Sequence, residues 1–169
     1  MVKRSLAIPS VVIYNGAVRN VFDPADPLSG LSTKQVEYDM AVNCISAILA
    51  AHHAVLGFKQ LPSSPYKTFI YTGNKLNFMT LEQVPLFGIG KSAASYLIHT
   101  ASKAYQREGF KFYYTNERTR DGSQAGGDFD GLARAKLHVQ LAEDSSQGPW
   151  NHSFVSGSGY INFGNTVEE

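Results

Sequence analysis

The stretch PLFGIGKSAASYL, Pro85–Leu97, decides how the rest of the chain is read. Its Gly-Lys-Ser ends the way a phosphate-binding loop ends. Such a loop needs a glycine five positions before the Gly-Lys pair, on a turn directly leaving a strand. Counting back from Gly90, that position is Pro85, and the preceding MTLEQV lacks the pattern of a buried strand. Without that turn the backbone amides do not form a phosphate cradle. Lys91 therefore serves another purpose.

Working outward, Lys91 to Glu108 is rich in alanine and other helix formers, and Gly109 stands where a helix C′ glycine is expected. Phe110 to Thr115 (FKFYYT) reads as a strand. Arg118 to Gly131 is polar and glycine-rich, which predicts a mobile loop. Ala133, Leu137 and Leu141 mark one face of a last helix, and GYINFG near the C-terminus reads as a final strand. Upstream, Lys67 to Thr72 (KTFIYT) is a strand closed by Gly73-Asn74. Ser32 and Gln35 form a capping box for a long helix that Gly57 weakens and Pro62 stops. Val11 to Tyr14 is a β-branched run ended by Asn15-Gly16. Alternating strands and helices of this kind predict one domain over residues 1–169. Its class is a three-layer α/β sandwich with a mostly parallel sheet of about four strands.

The bulk properties narrow the function. Of the 169 residues 43% are apolar, enough for a core, and the net charge is +1 with lysine and arginine scattered. No basic stripe points to nucleic acid. One cysteine, Cys44, allows no internal disulfide and suits a reducing compartment. The start, MVKRSLAIPSVVIYNGAV, invites comparison with a signal peptide. Pro9 interrupts its apolar run, and a buried strand is the better reading, so the expected location is cytoplasmic. No uninterrupted apolar run approaches the ~20 residues of a membrane span. His52 and His53 lie about 100° apart on a helix and do not chelate one metal, and no Cys/His spacing suggests a metal site.

Several segments resemble, in order, the second half of the short-chain dehydrogenase/reductase family. VVIYNGA is similar to its strand ending in an Asn-Gly turn, here Asn15 and Gly16. AVNCISA is similar to its helix motif with an asparagine after a valine, here Asn43. FIYTGN matches the strand that ends in a serine pair, with Asn74 at the catalytic serine position. FGIGKSAA matches Tyr-x-x-x-Lys, with Phe87 at the tyrosine position and Lys91 at the lysine position. Asn116-Glu117 stand where the family has Pro-Gly.

The resemblance implies NAD(P) as cofactor and a small carbonyl compound as ligand. It also implies roles: the tyrosine as general acid/base, the lysine lowering its pKa and holding the nicotinamide ribose, the serine positioning the carbonyl, and the asparagine supporting a proton relay. Phe87 has no proton to give to the alkoxide that hydride transfer leaves. The family's glycine-rich strand–turn–helix, which holds the pyrophosphate, has no counterpart in the sequence, which resembles the C-terminal half of a Rossmann-like fold. Two readings of function follow. One is a pseudoenzyme, binding module or fragment of a longer reductase, unable alone to perform ordinary hydride transfer. The other is an active oxidoreductase or non-redox enzyme using Asn74, Lys91 and a displaced tyrosine. Each residue also has a bland reading: Lys91 on a helix surface, Phe87 in the core, Asn43 in a buried hydrogen bond, Asn74 ending its strand. Tyr71, Tyr113 and Tyr114 lie near strand ends, where a parallel sheet places its ligand crevice. The strand at Val11 to Tyr14 lacks its family neighbour. The helices Ser32–Phe58 and Lys91–Glu108 match the family's dimer bundle, so a homo-oligomer is expected.

Overall fold

Val11–Tyr14 forms the first strand, β1, and its register against the next strand sets the sheet. The structure is a computed structural model that describes residues 7–63, 66–127 and 129–164. Strands β2 (Thr68–Thr72), β3 (Lys111–Glu117) and β4 (Asn151–Val155) follow, and β1 to β4 run parallel in sequence order. β5 (Gly159–Tyr160) returns antiparallel along β4. Among the described residues the sheet thus has five strands rather than about four. The unforeseen member is β4, and GYINFG contributes only Gly159–Tyr160 to β5.

Between β1 and β2 runs a continuous helix, Thr33–Phe58: α1 (Thr33–Met40), a π-helical turn (Ala41–Ile45) and α2 (Ser46–Phe58). Ser32 caps it, its hydroxyl accepting the Gln35 amide at 3.2 Å. The Gln35 side chain donates instead to Asp39 at 2.8 Å, so only half of the expected capping box forms. By length and composition this helix would also suffice to cross a bilayer, although its polar residues break every apolar run. One face, Ala47, Ala51, Ala54 and Phe58, is buried in the core.

α3 (Pro85–Ala104) begins six residues before the expected Lys91, with Pro85 at its first positions where no amide partner is needed. A 3₁₀ turn (Gln106–Glu108) follows, and Gly109, at φ 71°, takes the left-handed conformation foreseen for it. α4 (Gly131–Glu143) carries Leu137 and Leu141 inward. The segment before it is less loop-like than its composition suggests, because β3 extends to Glu117 and Arg118 bridges to Gln124.

Strand alternation sorts the core. Phe69, Tyr71, Phe112 and Tyr114 face α2 and α3, whereas Ile70, Tyr113 and Phe154 face α4. This is the three-layer arrangement. α4 is tied to β3 at both ends. Glu117 accepts the Asp130 amide and pairs with Arg134, each at 2.9 Å. At the far end the buried Lys111 ammonium donates to the carbonyls of Leu141 (3.0 Å), Ala142 (2.8 Å) and Asp144. A carboxylate at the start and a cation at the end both complement the helix dipole.

Candidate functional site

Lys91 lies one turn after Phe87 on α3 and is buried, 5% exposed. Its Nζ donates to the Thr72 carbonyl at the end of β2 (2.9 Å). It also lies 4.7 Å from the Tyr71 ring centroid and 5.1 Å from that of Phe87. Burial is the main reason its pKa falls to about 8, and the Arg134 charge adds to it. The surface reading of Lys91 therefore fails. The lysine is a desolvated amine held against two aromatic faces.

The glycines of GIGKS have a packing purpose. A Cβ at Gly90 would fall 2.4 Å from the Asn43 Cβ and 3.3 Å from the Asn43 carbonyl oxygen. α3 thus crosses the π-helical turn at near backbone contact. Asn43 is itself 1% exposed; its amide donates to the Val18 carbonyl and accepts from the Val18 amide, both at 2.9 Å. The widened turn frees the Val42 carbonyl, which accepts from Tyr14 Oη (2.8 Å) and Ser46 Oγ (2.7 Å). Single π-helical turns are frequent at functional sites. Asn43 therefore has the buried hydrogen-bonding role, holding the segment after β1 against the helix.

Asn74 is also committed locally. Its Oδ1 accepts the Leu76 amide (3.0 Å) and caps a 3₁₀ turn, Lys75–Asn77, while its backbone exchanges hydrogen bonds with Tyr114 Oη. Asn15 and Gly16 are exposed just beyond β1. Phe87 is half-buried and contributes only its ring face. Tyr14, Tyr71 and Tyr114 occupy one row across three strands and stack at centroid spacings of 5.6 and 5.5 Å. Burial raises the pKa of Tyr71 and of Tyr114. The Tyr71 hydroxyl is buried without a partner, and Tyr113 packs on the opposite face.

Lys91, Phe87, Asn43 and the end of β2 therefore meet in one place, with Asn74 two residues beyond Thr72. Asn15 and Gly16 stand outside these contacts. Sequence reasoning missed Arg118 just after β3 and Asn151 and Ser153 on β4, all buried, and noted Asn116, also buried, only as standing where the family has Pro-Gly. Arginine and asparagine directly after FKFYYT were the available signal. No group of three or more metal-ligating side chains occurs among the described residues.

A mostly parallel sheet in sequence order with helices on both faces places the chain in the Rossmann-like α/β class. The chain is 37% identical over 172 residues to short chain dehydrogenase/reductase dmxR12 of Cryptosporiopsis sp. (strain 8999), covering 96% of this chain and 70% of that protein. It belongs to the short-chain dehydrogenase/reductase family. No protein-family model matches it.

Solved structures share the fold at low identity. ElxO with NADP bound gives a TM-score of 0.63 at 13% identity, over 86% of this chain and 64% of that one. The landomycin C-6 ketoreductase LanV, with bound NADP and rabelomycin, gives 0.60 at 14%, over 79% and 54%. A short chain dehydrogenase from Mycobacterium smegmatis gives 0.61 at 11%, over 80% and 52%. The chain thus spans between about half and two thirds of the length of these three structures.

Proposed function

We propose that this chain is a divergent short-chain dehydrogenase/reductase that does not, by itself, perform ordinary NAD(P)-dependent hydride transfer. It acts as a pseudoenzyme, a binding module for a small carbonyl ligand, or part of a larger reductase. The observation that carries this reading is the pair at 5.1 Å: Lys91 keeps its buried place, but the ring beside it is Phe87, which has no hydroxyl.

NAD(P) fits these residues only in part. Lys91 stands where the ribose would be held, yet it is nearly enclosed and already bonded to Thr72. Among the described residues no glycine-rich strand–turn–helix offers itself to the pyrophosphate. Gly90, the nearest candidate glycine, is taken up by contact with Asn43. What the chain itself does here is position an amine and exclude water from it.

A second reading, an active NAD(P)-dependent oxidoreductase with a non-standard site, rests on the amine. With its pKa near 8, Lys91 exchanges a proton close to neutral pH, the range in which a general acid/base works on a carbonyl compound. Titration calorimetry separates the two. The first reading expects no binding of NADPH or NADH at low-micromolar concentration; low-micromolar affinity for either would overturn it. We place the protein in the cytoplasm as a homo-oligomer, away from nucleic acid and membrane.

A further inference from the structure

The carboxyl end of β3 and the residues of β4 that face it hold polar groups that the fold leaves unsatisfied. Tyr114 is in register with Asn151, and Asn116 with Ser153. Alternation along β3 therefore puts Asn116, Arg118, Asn151 and Ser153 on the face that Tyr114 shares. All four are buried. Both amide atoms of Asn116, Oδ1 of Asn151 and Nε of Arg118 have no hydrogen-bond partner. Arg118, Asn151 and Ser153, together with residues 160–163, line a partly open cavity of ≈ 10 Å³. That is about the space one water-sized particle needs.

Charge separates this cavity from an ordinary water site. The Arg118 guanidinium is 2% exposed and sits between the rings of Phe78 (5.1 Å) and Phe163 (5.6 Å). Its Nη1 donates to the Gly122 carbonyl (2.9 Å), and Lys75 Nζ donates to the same oxygen (3.1 Å). Two cations thus converge on one carbonyl. Neither forms an ion pair among the described residues. Glu117, next in sequence, lies on the opposite face, where Arg134 and the Asp130 amide occupy its carboxylate. Asp121 is exposed and bonded to Thr119 and Ser123. A buried cation without a counter-charge is costly, and a water molecule does not neutralise it.

We propose that this cavity is a binding site for one small monovalent anionic group, a halide or a single carboxylate oxygen. The Arg118 Nε–H and the Ser153 hydroxyl donate to it, and the Asn151 amide completes the donor set, since a side-chain amide can present its NH₂ end. The site is independent of whether the chain transfers hydride. The same chemistry has two sources: a free inorganic anion, or the carboxylate of an organic ligand reaching in past residues 160–163.

Thermal unfolding of the full chain during anion titration tests this, at constant ionic strength with methanesulfonate, which is too bulky for the cavity, as balancing salt. Chloride and bromide report the free ion; formate and acetate report a carboxylate. The wild type should show a saturable rise in Tm with at least one of these anions. Half-saturation should move at least about tenfold higher in Arg118→Gln, as losing a charge-assisted hydrogen bond implies. It should stay put in Lys34→Gln, at an exposed position on α1. If Arg118→Gln does not fold, Ser153→Ala takes its place. An anomalous peak from bromide within about 3.5 Å of Arg118 Nε then locates the ion. No saturable response, an equal response in the wild type and the site variant, or an ordered water alone at Arg118 Nε would overturn the proposal.

Discussion

Gly90 packs so closely on Asn43 that a Cβ added to the glycine would sit 2.4 Å from that of the asparagine. α3 and the π-helical turn are held at this distance by the absence of one carbon. Alanine favours a helix over glycine by roughly 0.8–1 kcal/mol, so a loose crossing would make Gly90→Ala stabilising. A tight one makes it destabilising by about 1–3 kcal/mol, as overpacking does. We expect the second sign. Urea unfolding checks it, and an unchanged or higher midpoint would show that the helices can part.

Phe87→Tyr restores a phenol beside Lys91 but leaves the pyrophosphate unheld. Proximity supplies a large share of rate enhancement, so this change alone should not create a reductase. The assay is NADPH oxidation with a panel of aldehydes and ketones. Clear turnover by the single variant would sink the proposed function.

His138 on α4 meets Thr115 Oγ1 at 3.2 Å and is buried. Burial, helped by Arg134, lowers its pKa from the usual 6.5 to about 4. The unfolded chain therefore binds more protons between those values, and stability rises with pH across that window. As the pH falls from 6.5 toward 4 this stability is lost. His152, also lowered mainly by burial, acts in the same direction. Denaturant midpoints from pH 4 to 7 should fall less steeply on the acid side in His138→Gln than in the wild type. Equal slopes would remove His138 from the account.

Two apolar surfaces lead us to expect self-association. Ile45, Ile48 and Leu49 of the long helix are each more than 40% exposed, as are Ile89 and Tyr96 of α3. Separately, β1 has no neighbour on its outer side among the described residues, and Ile13 there is half exposed. Light scattering at micromolar concentration should give a mass above the 18.5 kDa of one chain. Leu49→Lys tests the helices and Ile13→Lys tests the edge. Val12 is a poorer probe, because it packs against the core. A wild-type monomer, indifferent to both changes, would refute the expectation.

The elements that could be read from sequence are those whose local chemistry and burial agree. Val11–Tyr14, the Ser32 cap and Gly109 carry strand, cap and left-handed signals that the fold uses directly. β4 escaped because NHSFV is more polar than apolar, yet all five residues are buried. Its place is decided by pairing with β3, not by its own pattern. The π-helical turn was passed over in the spacing, although one extra residue turns the helix face by about 100° and the five-residue step from Met40 to Ile45 coincides with it. Asn43 and Lys91 were found through resemblance. Arg118 was not, because a charged residue after a strand ordinarily signals a turn, whereas here the chain carries it inward.

The two ties on α4 have a mechanical consequence. Glu117 pins its first turn and Lys111 its last, six residues apart on the same strand. The helix is a strut with both feet bolted to one beam, unable to tilt without pulling a charge from its partner. Slack in that connection then belongs to the glycine-rich stretch around Gly126 and Gly127, which can be lengthened or shortened while both anchorages keep their span.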